Sequence, residues 1–166
     1  MDILMIILRL IHIFAGIFWV GAGLFMAIII IPAMQNMRSG QLIQMIMRHS
    51  HFDRAMMISA LLTTLAGVWL YIRVSDGFNA DWMRDPGSMV LSIGAVAGIL
   101  AFGHGGAALG PATGKFSQLA KEIEGEPTEE QRNNMMALQA RIATHSRISL
   151  ILMIIAVIGM ASARYI

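Results

Sequence analysis

The stretch that decides the fold is ILMIILRLIHIFAGIFWVGAGLFMAIIII (residues 3–31), which is followed directly by Pro32. Its only ionisable side chains are Arg9 and His12. A helix needs about 20 consecutive apolar residues to cross ~30 Å of hydrocarbon, so the stretch predicts a transmembrane helix. Because the run is long and Asp2 stands where a signal peptide would carry Lys or Arg, we expect this helix to be retained rather than cleaved.

The composition of the whole chain agrees with this prediction. Of 166 residues, 57% are hydrophobic and 13% are charged, and the mean hydropathy is +0.67; soluble domains carry about 25% charged residues. Twelve Lys and Arg against ten Asp and Glu leave a net charge of +2, which excludes a basic nucleic-acid binder. The absence of cysteine excludes disulfides and thiolate metal sites. The first partner that we expect is the lipid bilayer.

Three further apolar stretches are long enough to be membrane spans, at residues 55–72, 89–109 and 148–163. We expect the third helix to stop at Gly110 and Pro111. Four such helices with short connections predict an all-α fold, an integral membrane four-helix bundle made of two antiparallel hairpins. Residues 1–166 then form a single membrane domain.

The positive charges predict an orientation. Eight Lys and Arg fall in or beside the connections at residues 32–54 and 110–147, and four lie towards the opposite ends of the helices. The eight are Arg38, Arg48, Arg54, Lys115, Lys121, Arg132, Arg141 and Arg147, and the four are Arg9, Arg73, Arg84 and Arg164. Because cytoplasmic loops are rich in Lys and Arg, we expect a multi-pass protein of the inner (plasma) membrane with both termini outside.

The two cytoplasmic segments carry helical patterns of their own. Residues 41–54 predict an amphipathic stem that extends the second helix, and residues 115–124 predict a short helix followed by a break at 125–127. Thr128 and Gln131 match a capping box, from which a helix beginning at Glu129 would run into the membrane. We therefore expect helical extensions of the bundle in the cytoplasm.

One face of the first helix carries His12, Gly16, Trp19 and Gly23 at helical spacing. One interpretation is a haem b whose iron binds His12, with Gly16 and Trp19 beside it and Arg9 near the propionates. The other is that the glycines admit a neighbouring helix. His12 would then hydrogen-bond to a hydroxyl of the second or fourth helix, and Arg9 would extend to the headgroups.

The remaining histidines cluster towards the cytoplasmic side: His49, His51, His104 and His145. Neutral imidazole binds divalent transition metals and haem iron, so our candidate metal ligands are His12, His104, His145 and His51. His12 and His104 lie at different depths and are not expected to share one iron, whereas His104 pairs more easily with His145 or His51. Alternatively, His49, His51 and His145 are ordinary interfacial residues.

Two segments resemble a known group of membrane proteins. LRLIHIFAGIFWVGAGLF (residues 8–25) resembles the first helix of the copper-resistance-D-like (CopD-like) families, which include small four-helix members and, more distantly, the HemJ-type protoporphyrinogen oxidases. The shared features are the histidine, Trp-Val-Gly and the glycine stripe. Residues 110–165, which begin GPATGKFSQLAKEIEGEPTEEQ, are similar to the second hairpin of the small members.

The resemblance implies a four-helix integral membrane protein and, through the HemJ-type relatives, haem b bound at His12. The family name also makes copper a possible cofactor. The start of the second helix reads FDRAMMISALL (residues 52–62) and lacks the Pro-Ala-Met that HemJ-type chains carry there. The resemblance therefore does not imply protoporphyrinogen oxidation.

Three functions follow from these features. The first is a small membrane protein that binds haem b or a transition metal for electron transfer or haem-linked redox chemistry. The second is a cofactor-free accessory subunit of a larger bioenergetic complex, whose partners are other membrane subunits or further copies of itself. The third is a copper or small-solute permease. No catalytic residue can be assigned, because the chain has no nucleotide-binding loop and no GxSxG motif.

Overall fold

The computed structural model describes residues 2–32, 51–123 and 125–166, and over these ranges the chain is all-α without strands. Four helical stretches are long and apolar enough to cross a membrane. The helices, with the turns that extend three of them, are α1 (Ile3–Phe25, then a π-helical turn Met26–Ile30), α2 (Phe52–Val74), α3 (Ala80–Arg84), α4 (Pro86–His104, then a π-helical turn Gly105–Leu109), α5 (Gly110–Glu122) and α6 (Glu129–Ser162, then a 3₁₀ turn Ala163–Tyr165).

The long helices pack as two antiparallel pairs, α1 with α2 and α4 with α6. Contacts between the pairs join them: the rings of Trp19 and Phe102 meet edge to face with centroids 6.5 Å apart, and Tyr71 shares a 2.6 Å hydrogen bond with Ser92. We call the end that holds residue 2, the turn at residues 75–85 and residue 166 the terminal end. The opposite end, which holds residues 110–128, is the loop end.

Small side chains form the interior of the helix pairs, and large apolar ones cover the outside. The buried residues of α2, α4 and α6 are mostly Ala, Ser, Thr and Gly. At the crossing of α4 and α6, a Cβ added to Gly159 would lie only 2.8 Å from the Cα of Gly94. Because neither residue carries a side chain, the two backbones approach directly, as small residues permit between membrane helices.

The prediction that the third helix stops at Gly110 and Pro111 is wrong. The chain stays helical through both residues and continues to the end of α5. Proline has no N–H and its ring clashes with the carbonyl four residues earlier in a regular α-helix. Here the π-helical turn Gly105–Leu109 precedes the proline, with Gly110 N–H bonded to Gly105 O, so the hydrogen-bond register is already changed where Pro111 enters.

The predicted start of the last helix is confirmed. Thr128 Oγ1 accepts from Gln131 N at 3.2 Å, and Gln131 Oε1 accepts from Thr128 N at 2.9 Å, which completes the capping box. The residues before it, 125–127, are not helical, as expected. Most of the amphipathic stem predicted at residues 41–54 lies outside the described residues.

A separate apolar core holds the loop end together. The Phe116 side chain on α5 is almost fully buried, among Ile31, Ala112, Ile142 and Ala143. This cluster ties α5 and the end of the first helical stretch to the first half of α6. The loop end is therefore a packed helical extension of the bundle.

Candidate functional site

His12 lies between α1 and α2, with its ring directly over Gly67. A Cβ added to Gly67 would be 2.7 Å from the ring's Cε1 and 2.9 Å from Nδ1, which is closer than van der Waals contact allows. The glycine therefore provides the space that the imidazole occupies. The ring is half-buried in this position.

The hydrogen bond of His12 fixes which nitrogen carries the proton. Nδ1 lies 2.8 Å from the backbone oxygen of Thr63. A carbonyl oxygen only accepts, so Nδ1 must donate its N–H, and a neutral ring then has its lone pair on Nε2. Nε2 has no hydrogen-bond partner among the described residues. The partner of the ring is thus a carbonyl of α2, where sequence reasoning had offered a hydroxyl.

A buried hydroxyl beside His12 also lacks a partner. Thr63 is 8% exposed, and its Oγ1 makes no hydrogen bond within the described part of the chain, which is also true of Thr64 Oγ1. Threonine in a helix commonly donates to the carbonyl four residues earlier, and neither residue does so. The Thr63 side chain faces Gly16, whose added Cβ would lie 3.5 Å from its Cγ2. The residue whose carbonyl accepts from His12 thus also carries a buried hydroxyl that makes no hydrogen bond within the described chain.

The other residues predicted for a cofactor site lie in different surroundings. Gly16 faces α2 together with His12. Trp19 packs against Phe102 on α4 and so belongs to the contact between the helix pairs. Arg9 is exposed, one helical turn before His12. The structure therefore brings His12 and Gly16 together around Thr63 and leaves Trp19 apart from them.

A second polar site lies nearer the loop end, where α4 meets α6. His104 Nε2 is 3.2 Å from His145 Nδ1, and the two ring centroids are 5.2 Å apart at an angle of 55°. The other nitrogen of His104, Nδ1, is 2.9 Å from Ser149 Oγ. Ser149 is buried, and both imidazoles are half-buried. We call this arrangement the His104–His145 pair.

This pair cannot form the two axial ligands of a haem in its present geometry. Axial ligands lie on opposite sides of the iron, so their nitrogens are separated by about 4 Å with the macrocycle between them (at about 2.0 Å per metal–nitrogen bond). In the pair the two nitrogens already touch through a hydrogen bond. Two histidines that occupy adjacent coordination positions of one metal ion do not need this separation.

His12 and the His104–His145 pair lie at different levels of the bundle. Phe102, two residues before His104, contacts Trp19 on α1. Trp19 in turn lies roughly 10 Å further along α1 than His12, at 1.5 Å per residue. His51 is exposed where α2 begins, and His49 lies outside the described residues. Over the described ranges, no three His, Asp or Glu side chains form a group able to hold a metal ion.

Sequence reasoning missed three of the partners. The Thr63 carbonyl and Gly67 set the position of His12, and Ser149 sets that of His104. Thr63 and Gly67 are spaced four residues apart, as are His145 and Ser149, so each couple shares a helix face. That spacing is visible in the sequence, but the partner helix that each face meets is not.

Comparisons with known proteins leave the family open: no family model, no curated protein and no solved structure matches this chain. The resemblance to CopD-like proteins stays a prediction.

Proposed function

We propose that this chain is an integral membrane protein that binds haem b through His12 and uses it for electron transfer. The membrane part of the proposal is supported by the distribution of side chains. Ile, Leu, Phe and Val dominate the exposed surface of the four long helices, while Ala, Ser, Thr and Gly fill the contacts between them. Water disfavours such large apolar surfaces, whereas lipid chains solvate them.

The orientation proposed is that both termini lie outside and the loop end lies in the cytoplasm. The excess of Lys and Arg around the loop end supports it. The aromatic rings at the terminal end support a membrane boundary there, since Tyr and Trp concentrate at headgroup level. Tyr71 packs against Phe78 and edge to face against Trp82, with centroids 5.8 and 5.5 Å apart.

One observation carries the haem proposal, which is the hydrogen bond from His12 Nδ1 to the Thr63 carbonyl. Proteins orient a metal-ligating histidine by having its other nitrogen donate to a carbonyl or carboxylate. Here that bond leaves the Nε2 lone pair without a partner in the described chain, and the hydroxyl of Thr63, the residue that accepts from Nδ1, also has none. These features fit a histidine that binds a cofactor.

Each residue of the site then has a role. His12 would hold the iron through Nε2, while the Thr63 carbonyl fixes the ring's tautomer and Gly67 gives the ring its space. Arg9 supplies a positive charge one turn away for a propionate. Haem b, when bound, supplies a reversible one-electron couple of its iron.

A second function, that of a cofactor-free accessory subunit, is favoured by a separate observation. No residue of α1 is fully buried within the described part of the chain. Its outer side is a row of exposed apolar residues, which another membrane subunit could cover as well as lipid. In this case His12 only joins α1 to α2.

A visible spectrum separates the two functions. We expect the protein, purified in mild detergent, to show a Soret band and a reduced-minus-oxidised difference spectrum of b type. His12→Gly should lose the band and regain it when imidazole is added, because free imidazole can replace the missing ligand. His51→Gly is the matched control, since His51 is exposed, and it should keep the band.

A colourless protein that copurifies with other membrane subunits would favour the accessory subunit. A haem spectrum that is identical in His12→Gly would instead contradict His12 as the iron ligand. Gly67→Ala is a further check on the ligand, because it pushes on the ring without removing it. In this variant we expect a shifted or weakened Soret band.

A further inference from the structure

We infer that the His104–His145 pair is a binding site for a divalent late first-row transition-metal ion, such as zinc or copper. The site is independent of the haem proposal, since it lies on other helices and at another level. It joins α4 to α6 near the loop end.

The distance between the facing nitrogens suits two ligands of one ion. Imidazole nitrogens bind zinc at 2.0–2.1 Å in tetrahedral geometry, which places two of them about 3.3 Å apart. His104 Nε2 and His145 Nδ1 are 3.2 Å apart. An ion between these nitrogens thus needs only a small displacement of either side chain.

Ser149 orients His104 for this role. When His104 donates its Nδ1 proton to Ser149 Oγ, at 2.9 Å, its Nε2 presents a lone pair towards His145. His145 presents Nδ1 in return when its proton is on Nε2. In the metal-free pair one of the two nitrogens donates to the other. Binding an ion requires this second tautomer, in which both nitrogens carry a lone pair and two ligand bonds replace the hydrogen bond. Such hydrogen-bonded support is typical of metal-ligating histidines.

Glycines flank His104 along its own helix. His104 is flanked by Gly103, Gly105 and Gly106, and a Cβ added to any of the three would meet no atom of the described chain within 4 Å. Gly103 and Gly106 are exposed, so these glycines leave the surface of the helix beside His104 uncovered. A π-helical turn also begins at Gly105, and such turns occur frequently at functional sites.

The donor set selects the class of ion. Imidazole suits zinc, copper, nickel and cobalt, whereas calcium and magnesium prefer carboxylate and carbonyl oxygens. Within the described ranges no third His, Asp or Glu completes the group. Two protein ligands therefore leave coordination positions of the ion for water or a small ligand.

Cobalt(II) is the probe that tests this site, because its visible bands report tetrahedral coordination. After treatment of the detergent-purified protein with chelator, we expect one equivalent of Co²⁺ to bind and to be displaced by Zn²⁺. His145→Gln and His104→Gln should each weaken binding at least tenfold. His51→Gln is the control with an exposed histidine, and His12→Gln tests independence from the haem site; both should bind as the parent does.

His145→Cys distinguishes lost ligation from lost folding. A thiolate also binds Co²⁺, so this variant should retain one equivalent with altered visible bands. The inference is overturned if the parent binds no Co²⁺ saturably, or if binding is equal in the two Gln variants and the parent. It is also overturned if the Gln variants only lower the melting temperature, because the pair is then a hydrogen bond between α4 and α6 and nothing more.

Discussion

The two helix pairs both depend on glycine, but they use it for different purposes. Between α4 and α6, Gly94 and Gly159 let two backbones touch, and the atoms that an added Cβ would meet belong to the main chain. Between α1 and α2, Gly67 accommodates a side chain, the ring of His12. The contact between α4 and α6 joins two backbones. The contact between α1 and α2 joins the backbone of α2 to a rotatable side chain of α1.

This difference indicates that the α4–α6 pair is the more rigid one and that the site between α1 and α2 is the more adaptable one. Backbone atoms of packed helices move only when the helices move, so the α4–α6 crossing tolerates little change. An imidazole can rotate away from α2 while both helices stay in place. We expect substitutions at the two glycines to differ in size and in whether a second substitution rescues them.

The largest effect is expected for Gly159→Ala. The new methyl group would lie 2.8 Å from Gly94 Cα and 3.0 Å from Val90 O, so the helices must separate. Overpacking costs about 1–3 kcal/mol, and we expect the upper part of this range because the clashing atoms belong to two backbones. That exceeds the ~1 kcal/mol that alanine gains over glycine in a helix. Thermal unfolding in detergent, followed by circular dichroism at 222 nm, should show a lower melting temperature.

Gly21→Ala is the matched control for this prediction. Gly21 also lies inside a long apolar helix, but an added Cβ would meet nothing of the described chain within 4 Å. Its melting temperature should stay the same or rise, because only the helix propensity changes. If Gly159→Ala behaves like Gly21→Ala, the close crossing of α4 and α6 does not exist in solution.

A smaller but more specific effect is expected at Gly67. Gly67→Ala should lower the free energy of unfolding by roughly 1–2 kcal/mol in the parent chain, since its methyl group overlaps the His12 ring. In a His12→Ala background the ring is gone, and the same substitution should be neutral or stabilising. A double-mutant cycle measures this change of sign as the coupling energy between the two positions.

Additive effects in that cycle would contradict the packing of His12 on Gly67. They would mean that alanine at position 67 meets something other than the ring. Gly159 is expected to differ from Gly67 in this respect, because no single side-chain truncation on α4 should rescue Gly159→Ala. Its clash is with backbone atoms that every residue carries.

The helices and their general contacts could be predicted from the sequence. The apolar stretches, the capping box at Thr128 and the small-residue faces are local patterns, and local patterns determine helices and the sides on which they pack. The end of the third helix could not be predicted, because Pro111 normally ends or kinks a helix. Its retention depends on the π-helical turn before it, and nothing local distinguishes that turn.

The candidate sites could be predicted only as residue types. The sequence made His12 a candidate ligand, which stays a prediction, and offered His145 or His51 as the partner of His104, of which the structure has His145. The carbonyl that fixes the tautomer of His12 belongs to Thr63, and every residue carries a carbonyl, so no sequence signal marks this one. The role of Ser149 likewise depends on the register between α4 and α6, which only tertiary packing determines.

The smallest effects compare two buried hydroxyls, one in each helix pair. Ser149→Ala removes the partner of His104 Nδ1 and should cost about 1 kcal/mol of unfolding free energy, as for a typical hydrogen bond. Thr63→Val removes an oxygen without a partner in the described chain and keeps the methyl group that faces Gly16, so the protein without a guest should be equally stable or slightly more stable. Denaturation of both variants in detergent, compared with the parent, measures the difference. A loss of stability in Thr63→Val as large as that in Ser149→Ala would mean that the Thr63 hydroxyl already has a hydrogen-bond partner. The buried hydroxyls of both helix pairs would then be hydrogen-bonded.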